Sequence, residues 1–216
     1  MPSSVAHRRL NAALMAAAVV AVTACGSSAA PRHAASPASP VASRSARLDA
    51  PALATPPEPA RDFTLRDSLG RRVRLSDYRG KAVLLTFIYD HCPDVCPLIV
   101  GNLHTALTRL GHGAHKAQVI AVSVDPKGDT PATVRAFLRA HEMTGRMEYL
   151  IGTKRELTPV WKAWGVQVEA SPENREQVGH SAFVYGITGS GKTTALYPSN
   201  FEPAWIVHDV PLLAAR

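Results

Sequence analysis

The run AVLLTFIYD, residues 82–90, is apolar at almost every position and rich in residues that favour strands. A strand with one face in water alternates apolar and polar side chains, so a run without alternation is covered on both faces. A second such run, AQVIAVSVD, follows at residues 117–125. A chain with two of them must place a layer on each side of a sheet. The intervening CPDVCPLIVGNLHTALTRLG supplies one covering element, since Leu98, Leu103, Leu107 and Leu110 recur at near-helical spacing and Gly111 is a stop. TPATVRAFLRAHEM opens with Thr130 as N-cap and Pro131 at the first helical position. A short strand MEYLIG, a helix KRELTPVWKAWG, strands HSAFVYGIT and TTALYP and a last helix AWIVHDVPLLAA complete the order. Ahead of these, FTLRDSLGRRVRLSDY alternates around Ser68, Leu69 and Gly70 and predicts an N-terminal β-hairpin. The alternation predicts an α/β fold with a central, mostly parallel sheet and helices on both faces.

That domain is expected to begin near residue 60. The first 25 residues join a basic patch (His7, Arg8, Arg9) to the apolar LNAALMAAAVVAV and then to Thr23, Ala24 and Cys25. This is the order of an export signal, and the apolar run is too short for a permanent spanning helix. Val22-Thr23-Ala24-Cys25 also resembles the bacterial lipobox, which implies lipidation of Cys25. A plain signal peptide with an incidental cysteine, or an uncleaved anchor, is the alternative. Residues 26–59 are mostly Ala, Pro, Ser and Arg, too poor in large apolar side chains to offset the entropy of ordering, and predict a disordered tether. The expected location is the extracytoplasmic face of a bacterial cell membrane, held by a lipid anchor. Residues 1–60 carry five basic residues against two acids, which leaves 19 against 15, or +4 of the whole chain's +7, for the domain. That mild surplus has no basic run and does not indicate nucleic acid.

GITGSGKTT, residues 186–194, matches the phosphate-loop pattern G-x-x-x-x-G-K-[ST]. A working loop opens a long helix whose N-terminal N–H groups hold phosphate, but Thr193, Thr194, Ala195, Leu196 and Tyr197 are strand-prone and Pro198 follows. The match at Gly186 to Thr193 is read as a Gly-rich turn between antiparallel strands, with no nucleotide bound.

The chemistry sits between the first buried strand and its helix, at Asp90-His91-Cys92-Pro93-Asp94-Val95-Cys96-Pro97. A spacing of four puts both sulfurs on one helical turn, near enough to grip one ion or to join each other. The helix N-terminus favours the thiolate, which is both nucleophile and metal ligand. An inert disulfide is disfavoured, since it closes a very short ring and long loops gain most from closure. Two cysteines rarely complete a metal site. Of the nine histidines, His7 and His33 lie in the signal and tether, while His104, His112, His115, His141 and His208 read as surface or satisfied side chains. His91 would have to point backward. His180 opens a strand after a polar loop and can project at the sheet edge where the cysteines emerge.

Phe87-Ile88-Tyr89, Cys92-Pro93-Asp94-Val95-Cys96-Pro97, Ser123-Val124-Asp125-Pro126, Asp129-Thr130-Pro131, Trp164-Gly165-Val166 and Gly179-His180-Ser181 follow one another as in the Sco/SenC proteins, which the sequence resembles over about residues 60 to 216. The resemblance implies a thioredoxin-like fold and a membrane-tethered copper protein of cytochrome c oxidase assembly. It implies Cys92, Cys96 and His180 as copper ligands and Asp125 as a supporting acid, although a strand-end cap explains Asp125 nearly as well. Soft thiolates select Cu(I), and Cu(II) stays open. The implied role is a metallochaperone for the CuA site of oxidase subunit II, with a further copper chaperone or thiol reductase as additional partners. The alternative on the same residues is a thiol–disulfide oxidoreductase, with Cys92 and Cys96 as a redox-active pair that reduces the CuA cysteines. One departure from the family is Gly186-Ile187-Thr188-Gly189-Ser190-Gly191, where relatives carry an acidic turn.

Overall fold

β4 (Ala82–Ile88) is buried at every position, as its lack of alternation requires. It lies inside an eight-stranded sheet in a computed structural model that describes residues 47–53, 56–170 and 178–216. The other strands are β1 (Glu58–Pro59), β2 (Thr64–Asp67), β3 (Arg72–Arg74), β5 (Ala117–Ser123), β6 (Met147–Ile151), β9 (Phe183–Ile187) and β10 (Lys192–Pro198), in the order β1-β10-β9-β4-β5-β6-β2-β3. A separate two-stranded ribbon pairs β7 (Val168–Ala170) with β8 (Val178–His180). The helices are α1 (Val95–Leu110), α2 (Pro131–Ala140), α3 (Lys154–Ala163) and α4 (Pro203–Ala214). The class is α/β and thioredoxin-like with an N-terminal hairpin, β2–β3, as expected. The sheet, however, is mixed rather than mostly parallel. Only β4–β5 and β5–β6 pair in parallel, because helical crossovers connect just those strands, while the hairpins on either side run antiparallel.

Register shows which helix covers which face. Gly186 stands opposite Leu84, and a side chain at Gly186 would run into Leu213 of α4, so the Leu84 side of the sheet faces α4. α1 joins α4 there, with Asn102 donating to the Phe201 carbonyl at 2.9 Å. The alternate residues of β4 point the other way. There Phe87 meets Trp164, which caps the end of α3, and Tyr185, with Phe63 against the far edge of the indole. Tyr185 donates its hydroxyl to the Trp164 carbonyl, so this aromatic cluster is buried without an orphaned polar group. Each fully buried Leu, Ile or Phe contributes about 1.5–3 kcal/mol, and the core formed by all four helices and the sheet draws on residues 50 to 213. Thr130 takes the N-cap of α2 as the sequence predicts, in a reciprocal capping box with Thr133, and Thr153 and Glu156 form a second box on α3.

The domain reaches further toward the N-terminus than composition indicates. Asp49 and Ala50 donate their N–H groups to the buried Asp209 carboxylate at 2.8 and 3.0 Å. Ala52 bridges to Ala195, and β1 pairs with β10. These backbone contacts need no apolar side chains, which is why an Ala/Pro-rich composition hides them. The export signal, Cys25 and most of the tether lie outside the described residues, among which no helix is long and apolar enough to cross a membrane.

The phosphate-loop pattern folds as a hairpin turn. β9 and β10 are antiparallel, and the turn between them uses its own N–H groups. Gly191 donates to the Thr188 carbonyl, Lys192 to Thr188 Oγ1, and Gly189 to the Leu213 carbonyl at the end of α4. Gly191 sits at φ +80°, a conformation that favours glycine, with the Arg79 guanidinium lying where a Cβ would be.

Candidate functional site

β4 stops at Ile88, and the chain turns through Tyr89 to Asp94 before α1 starts at Val95. The two sulfurs therefore do not share a helical turn, as their spacing suggests; Cys92 precedes the helix and Cys96 lies in its first turn. Pro93 is the reason, because the residue before a proline is pushed away from helical dihedrals. Asp94 then takes the N-cap, its carboxylate accepting from the Val95 N–H. Cys92 still reaches the helix end from outside: the Cys96 N–H donates to Cys92 Sγ at 3.3 Å, so the sulfur acts as a cap. Both cysteines are free thiols, Cys92 6% exposed and Cys96 fully buried.

Their proton affinities split. The hydrogen bond from Cys96 lowers the Cys92 thiol to about 4 against the opposing effect of burial, with His180 and the N–H groups of Cys96 and Asp94 adding to the fall. The same Cys92–Cys96 bond, together with burial, pushes the Cys96 thiol up. Near neutral pH the pair holds one proton, on Cys96, and presents a thiolate at Cys92.

His180 closes the group from the end of β8, paired with Val168 of β7. Its Nε2 lies 3.8 Å from Cys96 Sγ, and its Nδ1–H donates to the Ser181 carbonyl at 3.1 Å. That second bond holds the ring with Nε2 facing the sulfurs. The Tyr89 ring meets the imidazole edge to face at 5.8 Å and walls one side. A sulfur at about 2.3 Å and a nitrogen at about 2.0 Å from one ion are roughly 3.8 Å apart at a trigonal angle, so the observed spacing suits two ligands of one soft ion.

Two acids lie behind the loop, Asp125 and Asp129, and they make different contacts. Asp125 caps its own turn: it accepts from the Lys127 N–H at 3.1 Å, and its carboxylate fills the space beside Gly128. Asp129 instead supports the loop. It is 6% exposed, accepts the Asp90 N–H on Oδ1 at 2.9 Å and the buried Tyr149 hydroxyl on Oδ2 at 2.9 Å. Burial raises its carboxyl to about 7, opposed by bonds from Ser123, Asp90 and Tyr149. Asp90 adds a second buried carboxylate, 3% exposed, whose partner among the described residues is the exposed His91 imidazole. Asp129-Thr130-Pro131 is among the motifs that carry the resemblance, but nothing in the sequence separates Asp129 from the N-cap beside it.

The other described histidines are accounted for. His104 faces Glu142 at 3.6 Å, His141 stacks on Phe137, and His115 bonds to the His112 carbonyl. His208, with Asp49 and Asp209, forms a trio whose donor atoms lie within 4.8 Å of one another. Asp209 is saturated there by the Asp49 and Ala50 N–H groups, the Tyr197 hydroxyl and His208, so the trio reads as a clamp.

The fold and this site define a class: a thioredoxin-like protein that sets a Cys-x-x-x-Cys pair and a distant histidine at the mouth of its first parallel strand. The sequence model of the SCO1/SenC family matches residues 52–214, and the chain belongs to that family. Among curated relatives it is 31% identical over 141 residues to the mitochondrial protein SCO2 homolog of Bos taurus, covering 63% of this chain and 52% of the relative. It is 25% identical over 143 residues to the human protein SCO1 homolog, covering 64% and 47%. The chain thus spans about half the length of the curated relatives it matches. Among solved structures, the copper-bound ScoI of Bradyrhizobium japonicum is 29% identical with a TM-score of 0.65, over 71% of this chain and 98% of that one. The apo Sco1 protein of Thermus thermophilus is 29% identical with a TM-score of 0.64, over 78% and 96%.

Proposed function

We propose that this chain is a membrane-tethered copper carrier that delivers the ion to the CuA site of cytochrome c oxidase subunit II. Cys92, Cys96 and His180 are the proposed ligands and copper is the cargo. The observation that carries this reading is the 3.8 Å approach of His180 Nε2 to Cys96 Sγ, with the Cys92 sulfur bonded into the same helix end. Disulfide exchange has no need of an imidazole held at ligand distance, whereas a soft-metal site does. A relative solved with copper bound and the family match add support. Cys92 enters as a thiolate and Cys96 gives up its proton as the ion binds, so loading releases a proton. The proposed location, an extracytoplasmic membrane face reached through lipidated Cys25 and a tether ahead of the domain, puts the site among oxidising conditions. A thiol reductase or a second copper chaperone is then needed to keep the pair reduced and loaded.

A second reading rests on the split proton affinities. Cys92 thiolate would attack a partner disulfide, and Cys96, on losing its proton, would release the mixed disulfide. Two electrons pass, the partner leaves as a dithiol and the Cys92–Cys96 disulfide remains. Copper titration into the reduced protein, wild type beside His180→Ala, decides between them. The carrier reading expects Cu(I) affinity to fall at least tenfold in the variant, and unchanged affinity would remove it in favour of the reductase.

A further inference from the structure

The pole of the sheet opposite the cysteines carries cations that neither the copper site nor the fold uses. Lys81 precedes β4 and Lys116 precedes β5, while the thiols follow the other end of β4. Seven residues of strand separate the two poles by about 23 Å. Arg79, Lys81, His115 and Lys116 line one wall of a cleft of about 540 Å³, and the small apolar residues of the last turn of α4 line the other. No acidic side chain is among the lining residues. Elsewhere the basic residues Arg71 and Arg74 are paired with Asp67, Glu148 and Asp62. Among the described residues Arg79, Lys81 and Lys116 have no such partner. The Arg79 head group lies over Gly191. The C-terminal end of α4 offsets part of this charge, but a helix end is equivalent to only about half an elementary charge. Three permanent cations and a histidine exceed it several times over.

We propose that this cleft is a contact site for the phosphate groups of anionic lipid headgroups, and that it seats the domain on the membrane with the thiol pair facing away from the lipid. The proposal rests on the tethered location put forward above, which keeps the cleft near a lipid surface. The wall chemistry favours lipid over an acidic protein: the cleft offers charge and small side chains, without the aromatic anchors on which protein interfaces depend. Unpaired cations in a concavity concentrate anions, and that attraction is screened by salt.

The test uses the full lipid-anchored chain on vesicles of phosphatidylcholine alone or mixed with phosphatidylglycerol. Amine acylation at each lysine is followed by mass spectrometry. Lys81 and Lys116 are expected to react several-fold more slowly on the anionic vesicles, with the difference lost at high salt, while Lys127, Lys154 and Lys162 keep their rates. Lys116→Glu should weaken the protection of Lys81 in a protein that still folds by circular dichroism. Equal rates on both vesicle types overturn the proposal. Equal protection by inorganic phosphate on neutral vesicles makes this a small-anion site and overturns the lipid contact. Failure of the chain to float with neutral vesicles removes the anchor, and flotation with anionic vesicles alone then reads the cleft directly.

Discussion

Cys92 owes its chemistry to the proline that follows it. Held outside α1 by Pro93, its sulfur accepts a helix N–H, and that bond adds to a low thiol pKa whose largest cause is the hydrogen bond from the Cys96 side chain. The folded value of about 4 lies well below that of a free thiol, so the thiolate contributes stability in full above the unfolded pKa. The contribution declines as pH falls from about 9 and is gone below about 4. In the metal-free reduced protein, the thiolate absorbance near 240 nm should hold level from neutrality to about pH 5 and halve near pH 4. Cys96→Ser should leave one titrating sulfur with a higher midpoint. A midpoint near 8 in the wild type would contradict the hydrogen bond from the Cys96 side chain to the Cys92 sulfur. The pair itself was legible from sequence, as was His180. The helix start was not, because spacing alone does not say which of two cysteines lies inside the first turn.

At the scale of elements, the loop after β4 is held by a neighbour in space. Asp129 joins the loop at Asp90 to Tyr149 of β6 through two 2.9 Å bonds. Asp129→Ala leaves a buried N–H and a buried hydroxyl unpaired, which should cost about 2–4 kcal/mol in urea unfolding. Asp129→Asn can accept from Asp90 and donate to the Tyr149 oxygen, so it should recover most of that loss. It should also recover the Cys92 titration, which a general loss of stability would not move. If Asn is as damaging as Ala, the carboxylate charge rather than the hydrogen-bond pattern is what matters. Reading element order from periodicity succeeded for β4, β5 and all four helices, whose apolar patterns are long. It missed β1, β7 and β8, of two or three residues each, and His180 ends β8 rather than opening the strand that starts at Phe183, because pairing on so short a strand is decided by the partner's position.

For the whole molecule, the N-terminal boundary and the sheet's mixed direction share a cause. Both are set by edge contacts of the backbone, which side-chain composition does not encode. Asp209 is the clearest case: an acid inside a helix, fully buried, that ties residues 49 and 50 to α4 and accepts the Tyr197 hydroxyl. Asp209→Ala should strand three donors and cost about 3 kcal/mol or more, and limited proteolysis should then cut near residues 50–57 well before the sheet unfolds. Cleavage at wild-type rates would show that the clamp does not hold the segment.

The last of the three proposed donors is carried differently from the other two. Cys92 and Cys96 are built onto the central strand and its covering helix, whereas His180 rides on a two-stranded ribbon outside the main sheet. A grip with two fixed fingers and one on its own arm can open by a single step. On the carrier reading, an acceptor has to displace only the imidazole before it shares the ion with two sulfurs, and the rest of the protein need not rearrange for the cargo to change hands.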